Sequence, residues 1–440
     1  MIDVKAGDKA CKRFVLFSIL YLIITAFVLD TPAEILAGMK RIVISRDALI
    51  TDYFVIGGYG AAFLNAALVM LIEYGLLIFE KVNFTGLTLA ALYINAGFAL
   101  FGKNPVDILP IIIGTCIYAA VHHARLNRYI YTAIFGTCLA PFVTEMVYVL
   151  PFGNIVNGIL AALTGIFIGF VLPPLSAHTA SMHMGYNLFN VGFSAGIIAF
   201  VLVCILQSFG IQAQGVLIWQ EKTPVWLYLW IAVFFAVAFG YGLYLNKGDL
   251  KKALKIMRHP GRAVADYVLM DGAGSTFINM GLVGMMGLLY ILAIGGDLSG
   301  PVIGAMLTAF GFSAFGAHPK NYLPVLAGVY LSTFINKFEA TTPAVQLAAL
   351  FAVGITPIAG QFGVISGIFA GGLHVAIVTC TSAMYGGLNL YNNGFSCGWV
   401  AIFMVPLLES FIKRYELRRA KKAERKMVRL QNDTRREKNW

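Results

Sequence analysis

Apolar residues run along this chain in stretches long enough to cross a bilayer. "RFVLFSILYLIITAFVL" (Arg13–Leu29), "GILAALTGIFIGFVLPPL" (Gly158–Leu175) and "VWLYLWIAVFFAVAFGYGLYL" (Val225–Leu245) approach or reach the ~20 residues that span a ~30 Å hydrocarbon core. No ten-residue dyad alternation marks an outer-membrane barrel, so the spans are predicted to be helices, which satisfy their own backbone groups in lipid. Further helices are predicted near 51–79, 84–102, 107–121, 129–150, 154–174 and 192–208, with the segment 176–191 dipping into the membrane without crossing it.

The pattern occurs twice. "ITDYFVIGGYGAAFLNAALV" (Ile50–Val69) aligns with "VADYVLMDGAGSTFINMGLV" (Val264–Val283), and "GFALFGKNPVDILPIIIG" (Gly97–Gly114) with "GFSAFGAHPKNYLPVLAG" (Gly311–Gly328). Asp52/Asp266, Asn65/Asn279, Pro105/Pro319 and Pro110/Pro324 are identical pairs. After a two-residue shift "FGTCLAPF" (Phe135–Phe142) meets "FAVGITPI" (Phe351–Ile358), and after a deletion "GYNLFNVGFSAG" (Gly185–Gly196) meets "GLNLYNNGFSCG" (Gly387–Gly398). The chain therefore divides into an N-terminal helix and loop (1–49), a first repeat (50–207), a linking helix and basic loop (208–263), a second repeat (264–412) and a basic tail (413–440).

Charge orients these elements. The chain has 440 residues, 59% hydrophobic and only 12% charged, against roughly 25% charged in soluble domains, so it is an integral membrane protein. The net charge of +11 is concentrated: from Lys413 onward twelve Lys or Arg stand against four acids, which supplies +8. A basic tail after a span is the positive-inside signal and suits anionic lipid headgroups; no recognition motif points to nucleic acid. Lys5, Lys9, Lys12 and Arg13 place the N-terminus inside, and Arg125, Arg128 and the cluster Lys247–Arg262 do the same for two loops. Counting crossings between these markers puts both termini in the cytoplasm of a bacterial cell and starts the second repeat on the opposite face from the first. The predicted fold is an all-α polytopic membrane protein with two inverted-topology repeats, each of about five or six spans plus a re-entrant segment.

Non-helical backbone at membrane depth survives only when buried in protein or lining a wet cavity, and inverted repeats place solute sites at such breaks. The repeated Gly- and Asn-rich stretch is thus the candidate solute site: Asn187, Asn389, Asn190 and Asn392 supply amide donors and acceptors, and Gly185 and Gly387 permit sharp turns. The competing reading is turn chemistry and helix packing. His374, inside "GIFAGGLHVAIV", is a pore-lining candidate or a hydrogen-bonded packing residue. Intramembrane ionisable groups are functional candidates by default, which selects Glu145 for coupling, against a water-facing helix end, together with Asp52 and Asp266, for which capping a helix start is the preferred reading.

No HExxH, GxSxG or P-loop occurs, and "HHARLNR" lacks a carboxylate at ligand spacing, so neither an enzyme nor a metal site or cofactor is expected. Six cysteines without CxxC spacing read as reduced thiols in apolar runs.

The motifs "FGxxP…LP" and "GxNLxxxGFSxG", each present twice, resemble an uncharacterised bacterial membrane family with a duplicated domain. A more distant likeness is to urea transporters, carried by "GYN" at Gly185–Asn187, "KNP" at Lys103–Pro105 and "APF" at Ala140–Phe142. The order of these elements is the reverse of the urea-transporter order, and the second copy reads "GLN" and "TPI". That likeness implies inverted repeats, a homo-oligomer and a small polar solute. The expectation is a membrane channel or transporter for a small, neutral, polar solute. The alternatives are an ion-coupled transporter of a small organic anion and a non-transporting scaffold with a basic tail.

Overall fold

The computed structural model describes residues 3–47, 49–212 and 215–437; the last three residues of the basic tail lie outside them. Two leading helices, α1 (Val4–Leu29) and α2 (Pro32–Ile44), precede the first copy. That copy comprises α3 (Tyr59–Phe79), α4 (Gly86–Phe98), α5 (Ile108–Val121), α6 (Ile130–Val149), α7 (Asn154–Met182) and α8 (Asn190–Ser208). After the linking helix α9 (Val225–Leu245) the series returns as α10 (Ala273–Ile294), α11 (Gly300–Phe312), α12 (Pro319–Ser332), α13 (Pro343–Phe362), α14 (Val364–Met384) and α15 (Asn392–Glu437). Among the described residues ten segments are long and apolar enough to cross a membrane, and the shorter α4, α5 and α11 are apolar as well. The chain is an all-helical, multi-pass membrane protein built on a duplicated domain.

One segment departs from the expected outline. The helix predicted to end near residue 174 continues through Pro173 and Pro174 to Met182, so residues 176–182 belong to α7 and the turn is confined to 183–189. A proline cannot bond back to the carbonyl four residues earlier. Here the Thr115 hydroxyl, on α5, donates to the Gly169 carbonyl at 2.9 Å and satisfies the group that Pro173 leaves free. Conversely α6 and α13 are each interrupted by a tight 3₁₀ turn, Thr137–Leu139 and Ala352–Ile355, just before Pro141 and Pro357. The proline withholds its N–H there, and the chain restarts as a fresh helix with proline in its first turn, where no N–H is needed.

The core is the pair α4 and α11. Every residue of α11 is buried, as is nearly every residue of α4. They lie side by side and antiparallel, with Gly97 against Gly304 and Ala90 against Gly311. A Cβ on either Gly97 or Gly304 would sit 2.5 Å from the other's carbonyl oxygen, so glycine is what lets the two backbones meet. Besides their own caps at Thr85 and Ser299, both helices receive an N-terminal carboxylate from the other copy. Asp266 accepts from the N–H groups of Gly86 and Leu87 (2.9 and 3.2 Å), and Asp52 accepts from Gly300 N–H at 3.2 Å. Carboxylates at helix N-termini satisfy groups that have no intrahelical partner and oppose the positive end of the helix dipole. Each aspartate also caps the one-turn helix that follows it, through Phe54 N–H and Leu269 N–H.

Asn65 and Asn279 repeat one further lock. The Asn65 amide donates to the carbonyls of Ala99 and Lys103 at 2.7 and 2.9 Å, and Asn279 donates to those of Ser313 and Ala317 at the same two distances. Each ties a long helix to the loop after its short neighbour.

Candidate functional site

The repeated Gly- and Asn-rich stretches meet each other. The N-terminal turns of α8 and α15 overlap: Phe193 covers Gly398, Phe395 covers Gly196, and the two rings stack at 5.8 Å. A Cβ on Gly196 or Gly398 would lie 2.3 or 2.2 Å from the opposing ring, which accounts for the second glycine of "GFSxG" in each copy. The Asn187 side chain accepts from Phe189 N–H at 2.9 Å and donates across the interface to the Gly394 carbonyl at 3.2 Å. Asn389 accepts from Tyr391 N–H at 3.0 Å.

Asn190 and Asn392 each bind back to the preceding long helix. Asn190 donates to the Ser176 carbonyl and accepts from Thr179 and from His183 Nε2; Asn392 donates to the Val378 carbonyl and accepts from Thr381 and Tyr385. Gly185 and Gly387 both have positive φ and lie against the chain that leads into the other copy, Ala263 N–H bonding Gly185 and Leu49 N–H bonding Gly387. His374 is fully buried, one ring nitrogen 3.1 Å from Asn393 and the other 3.0 Å from the Ser396 hydroxyl. Glu145 forms a two-pronged ion pair with Arg46 of the loop after α2. Asp52 and Asp266 are engaged at helix starts, as described above.

Beside the first motif lies a cavity of about 690 Å³ between the two copies. Its lining includes the exposed Arg128, the polar residues Ser176, His183, Asn187 and Asn190, and the buried rings of Phe189 and Tyr391. Three buried polar atoms of this lining, Ser176 Oγ, His183 Nδ1 and the Tyr391 hydroxyl, have no hydrogen-bond partner in the protein. Buried polar groups are nearly always paired, so such atoms on one cavity point to a bound solute or water. The tautomer of His183 follows from its partner. Asn190 Nδ2 is used as a donor, so Oδ1 accepts from His183 Nε2–H and leaves Nδ1 as an acceptor. The cavity thus offers one uncharged acceptor and two hydroxyls. Its aromatic rings are packed: Phe189 on Phe312 at 4.6 Å and on Tyr391 at 5.0 Å, and Tyr391 on Phe98 at 5.3 Å.

The equivalent region of the second copy is covered, and there too one buried polar atom, Asn389 Nδ2, has no hydrogen-bond partner. Val378, Tyr385 and Phe189 stand where the first has Ser176, His183 and Tyr391. The linker after α8 pairs with residues 50–52 through Ile50 N–H to Val216, Ile218 N–H to Ile50 and Asp52 N–H to Ile218, and Gly215 lies close to Gly386 and Leu49. The Ser176, His183 and Tyr391 group escapes a sequence reading, because Ser176 and His183 stand at the end of α7 and Tyr391 just before α15, and only the fold assembles them.

The model of one protein family, described as a protein of unknown function (DUF1576), matches residues 31–208 and again residues 245–410. No curated protein and no solved structure matches the chain.

Proposed function

Because the chain belongs to the DUF1576 family, which brings no activity with it, we propose from the geometry that it carries a small, polar, uncharged solute across a membrane. The observation that carries this reading is the cavity between the copies, with Ser176 Oγ, His183 Nδ1 and the Tyr391 hydroxyl unpartnered on its wall. Apart from Arg128, whose side chain is exposed, the lining is uncharged, which favours a neutral solute, since a strongly charged one would need a fixed counter-charge within the cavity. The packed aromatic rings and the covered counterpart favour a carrier that exposes one side at a time over an open channel.

The same reading has the copies inverted. Asp52 precedes α3 and touches Gly300, which follows α10; Asp266 precedes α10 and touches Gly86, which follows α3. Each long helix therefore starts where its counterpart ends. The cavity is lined by the exposed Arg128 and by Ala263, which directly follows the basic loop 247–262. Excess Lys and Arg mark the cytoplasmic face, which makes this an inward-open carrier with both termini inside.

Stopped-flow solute entry into proteoliposomes tests it, with urea, small amides, glycerol and short carboxylates as the panel. Saturable entry of a neutral solute, slowed in Ser176→Ala/Tyr391→Phe, is expected. Entry of no solute in the panel, or equal entry in the double variant, would remove this assignment.

A further inference from the structure

Glu73 of α3 and Lys103 of the loop after α4 form an ion pair of 3.7 Å, and both side chains have no exposure. Neither Glu73 oxygen accepts a hydrogen bond in the protein. The Lys103 amine donates to Asn95 Oδ1 and, at 2.8 Å, to Thr137 Oγ1. Taking two ions out of water costs several kcal/mol per ion after relaxation, and the mutual attraction offsets that only where the remaining donors and acceptors are satisfied. At Glu73 they are not.

The fold itself does not require the pair. In the second copy Gly287, Ala309, Ala317 and Val353 occupy the positions of Glu73, Asn95, Lys103 and Thr137. The Asn279 lock there nevertheless has the same form as the Asn65 lock. Intramembrane charges that the architecture can do without mark pathways and proton relays.

The pair lies directly behind the cavity wall. Thr137 and Asn95 both bond the Ile134 carbonyl, at 2.7 and 3.1 Å, and the next residue, Phe135, lines the cavity. Cys138, beside Thr137, accepts from Leu390 N–H, and Tyr391 follows in the cavity's lining. The 3₁₀ turn Thr137–Leu139 thus connects the amine to both the wall and the second motif. Asp107 and the Cys138 thiol also face the Lys103 amine. On the other side of α3, helix α1 contributes Asp8 and Lys12, which pair with each other at 2.8 Å beside Phe84.

We propose that Glu73 and Lys103 form a proton-binding site that drives the carrier between its two exposures, an inference that rests on the transport reading above. The Glu73 carboxylate takes one proton from water and becomes a neutral carboxyl group. Lys103 keeps its charge, loses the carboxylate it is paired with and rests on its bonds to Asn95 and Thr137, which shifts the turn that carries the cavity wall.

The test uses the full chain in proteoliposomes with Ala180→Cys, an exposed position on the cavity, and N-ethylmaleimide as the probe. Its labelling rate is divided, at each pH, by that of the same protein with Glu73→Gln, which cancels the reactivity of the thiol itself. A ratio that changes several-fold across the titration is expected. Glu73→Gln/Lys103→Met, which removes both charges of the pair, should behave as Glu73→Gln does. A ratio constant with pH in folded protein overturns the proton site and leaves the cavity reading intact. No labelling of Ala180→Cys at any pH overturns the cavity reading and this inference with it.

Discussion

At Asn65 and Asn279 the two copies are chemically alike: the same side chain, the same pair of carbonyl acceptors, the same distances. At residues 73, 95, 103 and 137 they part, the first copy placing Glu, Asn, Lys and Thr where the second has Gly, Ala, Ala and Val. The cavity follows the same division: it lies beside the first motif, while the linker after α8 packs beside the second. Elements present in both copies explain how the fold is held. Elements present in one are where function is to be sought.

The largest effect is expected where the copies touch backbone to backbone. Gly97→Leu and Gly304→Leu should each prevent folding, because the new Cβ meets a carbonyl 2.5 Å away that belongs to a buried helix. Overpacking costs ~1–3 kcal/mol even where side chains can shift. Size-exclusion chromatography in detergent checks this; two monodisperse proteins with unchanged melting temperatures would break the account of the core.

Next comes the asymmetric pair. Lys103→Ala should destabilise by ~3–5 kcal/mol, the usual cost of stranding a buried charge. Adding Glu73→Gln should recover most of that loss, since the second copy manages with neither charge. Thermal melts of the single and double variants measure it, and a double variant no better than the single would contradict it.

Smaller and symmetric effects are expected from Asp52→Asn and Asp266→Asn, about 1–2 kcal/mol each for a weakened cap. A large effect in one alone would mean that one aspartate does more than cap. Smallest is Ser176→Ala, whose hydroxyl has no protein partner. Its melting point should stay within about 0.5 kcal/mol of the parent while solute entry slows.

Much of this symmetry is legible in the sequence. Asp52/Asp266 and Asn65/Asn279 align without gaps, and the Gly- and Asn-rich stretches stand out against their apolar flanks. What each does is not legible, because the cap at Gly300 comes from a residue 248 positions earlier. The continuation of α7 past two prolines depends on Thr115 of another helix, and the cover over the second motif on a linker without internal pattern. Glu73 and Lys103 could have been found by asking which charges within the spans lack a counterpart in the aligned copy. Both face an apolar residue or glycine there.

The central claim is that the copies are inverted, and one pair of cysteines tests it most directly. His123 and Lys337 occupy equivalent, exposed positions after α5 and α12. An impermeant maleimide, applied to vesicles of either orientation, should label His123→Cys only from the cytoplasmic face and Lys337→Cys only from the opposite face. Labelling of both from the same face would make the copies parallel and contradict the account.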